Sequence, residues 1–220
     1  MAGTTLRAKL TWFALTSSSV DVSDRSLTMQ TLEQKPDTKR PVIVRAATSL
    51  FAERGIDGTS MRDIAEAAGV REAAIYRHFA GKDDLAREIF LSWYSWYCKK
   101  LEDIVSGSGG TLDKLREIVR HEFSAVTEHS EAFVYFCENE SRFVRSLPPE
   151  IVTGRSVFTA FIKAGQARGE VCAGRPELLA DMLSGALCAV ALTWLRTGRR
   201  KKLNTQLEEV VRGCWHMIST

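Results

Sequence analysis

The sequence predicts an all-α protein in two parts, and three observations carry that prediction. Apolar residues recur at three- and four-residue spacing in one segment after another, and no segment alternates in the manner of a strand. Glycines punctuate these periodic stretches, at Gly55, Gly69, Gly81 and Gly169. Pro176 to Leu195 is apolar around most of its circumference, which calls for burial on all sides. At 220 residues the chain is long enough for one small domain and one larger one.

Residues 1–35 are Ser/Thr-rich and lack a sustained period, so they are expected to be disordered. Arg7 and Lys9 before Leu10 to Leu15 faintly resemble a signal peptide, but the apolar stretch is short, Thr11 interrupts it, and no small-residue cleavage site follows. Met29 as the true start would make the first 28 residues an extension. The first clear helix runs from Pro36 or Asp37 to Arg54, with Pro41 early and Ile43, Ala47, Leu50 and Phe51 on one face; Gly55 ends it.

The next stretch, TSMRDIAEAAGVREAAIYRHF from Thr59 to Phe79, reads as two short helices joined by a tight turn. Thr59 and Ser60 can cap the first, where Met61, Ile64, Ala65 and Ala68 form the apolar side and Arg62, Asp63 and Glu66 stay wet. Gly69 supplies the left-handed exit and Val70 an apolar anchor. The second helix, about Arg71 to His78, turns Ile75 and Phe79 inward and leaves Arg71, Glu72, Ala73, Tyr76 and Arg77 outward. Small residues beside long basic and aromatic ones suit a helix that enters a groove: the former permit close approach and the latter reach base edges and phosphates.

A fourth helix begins after Gly81, with Asp83 and Asp84 favourable in its first turn, and continues to about Val105. It would span roughly 33 Å, enough to link two bodies. After the break SGSGG at Ser106 to Gly110, Leu112 to His129 carries an apolar stripe at 112, 115, 118, 119, 123 and 126. Glu131 to Arg145 is aromatic-rich, and Pro148 and Pro149 open a helix to about Arg168. The near-continuous apolar helix at 176–197 and the helix at 203–218, separated by the basic loop Gly198 to Lys202, are expected to pair with the same helices of a second subunit as a four-helix interface.

The pattern IAxxAGVxxxxIYRHFxxKxxL, preceded by a helix ending LFAERG, resembles the N-terminal domain of the TetR family of bacterial transcriptional regulators over about fifty residues, from Pro36 to Leu85. The resemblance implies a helix-turn-helix DNA-binding domain at 36–82 and a helical ligand-binding and dimerisation domain at 83–220. It implies phosphate contacts from Thr59 or Ser60, Tyr76, His78 and Lys82, and base contacts from Arg62, Arg71, Glu72, Ala73 and Arg77. Arg71 stands where a capping Ser or Thr is usual in the family, and Ala73 where Gly is usual; both leave the fold possible and alter the expected operator. His78 can also stabilise a helix C-terminus as a cation.

By the same resemblance the larger domain would bind a small, largely apolar effector that shifts the fourth helix and releases a palindromic operator, making the chain a homodimeric, cytoplasmic repressor. Trp93, Trp96, Tyr97, His121, Phe123, Phe136, Glu138, Phe158 and Phe161 are the candidate lining, with Glu122 a further polar partner. Aromatic residues at helical spacing also serve simply as core. His121 and Glu122, being adjacent, are expected on different faces. The alternative function is a dimeric DNA-binding structural factor with no small-molecule ligand.

Charge agrees in placement. Residues 35–82 hold nine Lys and Arg against six Asp and Glu, which accounts for the whole chain's net charge of +3. Five cysteines, odd in number and never within four residues of each other, suggest neither a metal site nor a disulfide scaffold; they read as reduced core thiols, with a redox-sensing role open for one of them. No Ser/His/Asp logic, phosphate loop or HExxH is present, so no enzyme, cofactor or metal is expected. No apolar run is expected to reach the eighteen or so residues of a membrane helix.

Overall fold

The computed structural model describes residues 39–147, 151–197 and 203–220. The expectations for residues 1–35, a start at Met29, the opening of the first helix at Pro36 or Asp37, the prolines at 148 and 149, and the basic loop 198–202 lie outside them. The described residues form nine α-helices: α1 Lys39–Arg54, α2 Met61–Ala67, α3 Glu72–Tyr76, α4 Lys82–Ser106, α5 Thr111–Glu128, α6 Ser130–Phe143, α7 Gly154–Ala167, α8 Pro176–Arg196 and α9 Leu207–Ile218. Short 3-10 turns follow α6 and precede α9, and one isolated antiparallel bridge joins Val171 and Ser219. The fold is all-α, as the periodicity predicts.

The chain divides into two compact units between Trp96 and Tyr97, inside α4. In the first, Ile43, Ala47 and Phe51 of α1, Ile64 of α2, Ile75 of α3 and Phe79 are fully enclosed, so the two short helices owe their order to packing rather than to length. Gly55 and Gly69 take positive φ at the two helix exits, a conformation in which a Cβ would be strained. Arg40 ties the unit further: its guanidinium pairs with Glu88 of α4 and lies 5.4 Å over the Phe79 ring.

In the second unit α5 packs against α6, α7, α8 and α9, and α7 packs against α8. The N-terminus of α5 is capped from a distance. Gly110 offers no side chain, and Glu170 instead accepts the Thr111 N–H at 3.0 Å together with the Thr111 hydroxyl, while Arg168 Nε donates to the same carboxylate at 3.2 Å. These hydrogen bonds, the Thr111 hydroxyl first, pull the Glu170 carboxyl down to about 2. α7 starts at Gly154 rather than at the proline pair, because Thr153 and Ser156 form a capping box there and satisfy two orphan N–H groups.

The sequence expectation about apolar runs needs correction at α8. This helix has 21 residues and a mean hydropathy of 1.8 over its most apolar window, long and apolar enough to cross a membrane, although Glu177, Asp181 and Arg196 flank or interrupt it. Ala180, Leu183, Leu187 and Ala191 are buried, whereas Leu178 and Met182 are 47% and 45% exposed and Gly185, Ala189 and Thr193 continue the same open stripe.

Candidate nucleic-acid interface

The start of α2 is fixed by Ser60. Its hydroxyl accepts from the Asp63 N–H at 3.1 Å and donates to Asp63 Oδ2 at 2.6 Å, while the Ser60 N–H donates to the same carboxylate at 2.8 Å. The Ser60 hydroxyl bond is the largest cause holding the Asp63 carboxyl below its ordinary value. Thr59, expected as an alternative cap and phosphate contact, is 1% exposed, and its hydroxyl donates inward to the Gly55 carbonyl at 2.9 Å. The exposed hydroxyl is therefore Ser60's. Thr59 serves the site through its backbone: the Lys82 ammonium donates to its carbonyl oxygen at 2.8 Å, which holds that cation at the head of α4 beside the start of α2.

Between α2 and α3 the chain turns at Gly69, and Val70 N–H donates to the Ala65 carbonyl at 3.0 Å, closing the end of α2. Arg71 is the N-cap of α3 and makes no side-chain capping bond, so its guanidinium is left to the outside. α3 has five residues, of which Ala74 and Ile75 are buried. Arg62, Arg71, Glu72, Ala73, Tyr76 and Arg77 are all exposed, with Tyr76 at 52%. An exposed tyrosine ring on so short a helix has no role in the core. His78 is half-buried, its ring meeting Phe79 edge-on at 6.2 Å between centroids. Arg62, Arg71, Arg77 and Lys82 against Glu72 give these candidate residues a net positive charge, the sign that attracts a phosphate.

The candidate effector residues fall differently. Trp93 and Trp96 lie in the first unit, Trp93 fully enclosed and stacked obliquely at 6.3 Å on Trp96. In the second unit Phe123, Phe158 and Phe161 are buried core, while Phe136 is half-buried. Glu138 is exposed at the surface. The buried carboxylate is Glu122, which accepts a hydrogen bond from the Tyr97 hydroxyl. His121 does not face elsewhere, as adjacency would suggest: its Nε2 lies 3.2 Å from the Tyr97 carbonyl oxygen and its ring stacks on the Tyr97 ring at 5.0 Å. Phe136 tilts against that ring at 6.1 Å between centroids. Burial pushes the Glu122 carboxyl up to about 7 against the pull of the Tyr97 hydroxyl, and pushes His121 down to about 4. Two adjacent residues thus converge on one tyrosine, one at its hydroxyl and one at its backbone.

No group of three or more His, Cys, Asp or Glu among the described residues could hold a metal ion. An open depression of about 420 Å³ lies along α7, lined by Thr153, Arg155, Ser156, Thr159, Ala160 and Lys163, none of them an expected effector residue. Arg155 and Lys163 there are paired with Asp181 and Glu177 of α8.

Residues 43–89 match the family described as bacterial regulatory proteins, tetR family. Among relatives, the HTH-type transcriptional repressor KstR2 of Mycobacterium tuberculosis (strain CDC 1551 / Oshkosh) is 31% identical over 112 residues, 51% of this chain and 56% of that protein. The chain therefore matches just over half the length of this relative. Among solved structures, the ketosteroid transcriptional regulator KstR2 of Mycobacterium tuberculosis superposes with a TM-score of 0.66 at 21% identity, covering 84% of this chain and 96% of that one. The transcriptional regulator FadR of Bacillus subtilis, solved in complex with stearoyl-CoA, does so with a TM-score of 0.65 at 18% identity, covering 79% and 96%. The shared fold thus extends across both units, while the family match rests on the N-terminal helices that carry the exposed basic face. It is those helices, within residues 43–89, that the chain shares with the tetR family of bacterial regulatory proteins.

Proposed function

We propose that the chain is a ligand-responsive transcriptional repressor that binds a palindromic operator as a homodimer, with α3 as the helix that enters the major groove. The observation that carries this reading is α3 itself, five residues held by Ala74 and Ile75 while Arg71, Glu72, Ala73, Tyr76 and Arg77 all stay exposed. In it Arg62, Arg71, Glu72, Ala73 and Arg77 meet base edges, where arginine suits guanine O6 and N7 and glutamate suits cytosine N4. Ser60, Tyr76, His78 and Lys82 meet phosphates. Thr59 supports the last of these by holding Lys82 through its carbonyl.

The dimer forms through α8 and α9, whose partner helices cover the open stripe of Leu178, Met182, Gly185 and Ala189. Such a cover also answers the apolarity of α8 without a bilayer, in keeping with a cytoplasmic protein. The effector is largely apolar and acts in the second unit, where Tyr97, His121, Glu122 and Phe136 group polar atoms with aromatic faces. Relatives named for ketosteroid regulation and solved with stearoyl-CoA support an apolar ligand. By differential affinity for two conformations, the effector changes the separation of the two α3 helices away from the roughly 34 Å of adjacent half-sites.

Selection of bound fragments from random DNA tests the reading, followed by anisotropy titrations of the recovered site. A palindrome is expected, with affinity falling steeply with salt at about 0.9 log units per log unit of salt for each neutralised phosphate. Arg77→Ala should weaken a guanine-containing site by roughly 1 to 3 kcal/mol and relax preference at one base pair; Lys82→Ala should weaken all sequences alike and lower the salt slope. Unchanged affinity in both variants removes this face from the interface.

A further inference from the structure

The sulfur atoms of Cys137 and Cys188, 51 residues apart in the chain, meet at 3.9 Å. Cys137 stands on α6 and Cys188 on α8, and both are half-buried. Cys98 and Cys214, in contrast, are buried. No third His, Cys, Asp or Glu among the described residues joins the two sulfurs into a metal set, so the chemistry open to them is that of a thiol pair. A disulfide bond of about 2.05 Å would form by drawing together two sulfurs that already touch. Cys188 lies on the flank of α8, between its buried row and the open stripe of Leu178, Met182, Gly185 and Ala189.

We propose that Cys137 and Cys188 are a reversible dithiol site for a hydroperoxide, closing to an intramolecular disulfide that staples α6 to α8. The two thiols are not equivalent. The contact between the two sulfurs draws the Cys188 thiol below its ordinary value, whereas that same contact and burial push Cys137 up. In the proposed site Cys188 is the attacking sulfur and Cys137 the resolving one, an assignment that the Cys137→Ser trapping experiment decides. The Cys188 thiolate displaces the alcohol, or water in the case of hydrogen peroxide, from the O–O bond and becomes a sulfenic acid; the departing oxygen takes a proton. Cys137 sulfur then attacks the sulfenic sulfur, its proton leaves with the hydroxyl as water, and the S–S bond forms. Two thiols and one peroxide give one disulfide, one alcohol or water, and one further water. Both sulfurs are oxidised and the peroxide oxygens are reduced. The site does not depend on the operator-binding reading, since it is defined by the second unit alone.

The test uses the full-length reduced protein with hydrogen peroxide from equimolar to modest excess, followed by alkylation and peptide mapping. Expected are a Cys137–Cys188 linked peptide, loss of two hydrogens from the intact mass, alkylated thiols at Cys98, Cys172 and Cys214, and full reversal by dithiothreitol. Cys137→Ser should halt Cys188 at a sulfenic acid trapped by dimedone, and Cys172→Ser should leave the link unchanged. The wild-type and Cys172→Ser maps decide the matter even if Cys137→Ser disturbs folding. Sulfinic acid at either cysteine without a link, a link between subunits, or first oxidation at Cys172 would overturn the assignment.

Discussion

At Glu122 a carboxyl group 4% exposed leans on a single hydroxyl, that of Tyr97. Its folded value of about 7 lies above the ordinary 4.5, so the native state favours the protonated acid. The stability tied to that proton is complete below about pH 4.5 and is lost as pH rises through about 7. His121 runs the other way: held down to about 4 by burial, it contributes above its ordinary 6.5 and loses that contribution as pH falls towards 4. Glu122→Gln isolates the first effect, because the amide oxygen still accepts from Tyr97 and carries no charge. Thermal melts should show the variant level with the parent near pH 5 and more stable at pH 8, by roughly 3 kcal/mol. Equal stabilities at both pH values would mean that Glu122 is already solvated. This pairing was not legible from the sequence, where helical periodicity sends adjacent residues to different faces. A tyrosine offers acceptor and donor atoms several ångströms apart, and both neighbours can reach it.

In the first unit the end of α1 and the start and exit of α2 were legible because those limits are set locally. Ser60 and Asp63 are three residues apart, Gly55 and Gly69 act by their own backbone, and the buried residues fall at the period of the helix. Ser60→Ala should cost about 1 kcal/mol in urea unfolding and relieve part of the depression of the Asp63 carboxyl, the Ser60 N–H still donating to it. The limits of α5 were legible to within one residue but its cap was not, and the start of α7 was not. α5 takes its cap from Glu170, 59 positions away, which no window of sequence reveals. Glu170→Ala should therefore quicken hydrogen exchange at the Thr111 amide, whereas a cap supplied by water alone would leave exchange unchanged. At α7 the local signal was present in Thr153 and Ser156, but the proline pair upstream is the louder one.

Across the whole molecule the charge balance and the two-part layout followed from composition and helix length, while what covers α8 did not, since periodicity tells that a face is apolar and not what meets it. If a second subunit covers it, Met182→Asp buries a charge at the interface and should convert the dimer to a monomer in analytical ultracentrifugation, with operator affinity falling because only one half-site is held at a time. A dimer that persists would exclude the stripe from the interface. Last, the brevity of α3 reaches beyond binding. A five-residue helix cannot stand alone, so its order is lent by Ala74, Ile75 and Phe79, and its outward residues add almost nothing to the fold. Exchanging Arg71, Glu72, Ala73 or Arg77 should shift stability by no more than about 0.5 kcal/mol each. Duplicated copies of such a chain could therefore drift to new binding sites one side chain at a time, with little risk of unfolding on the way.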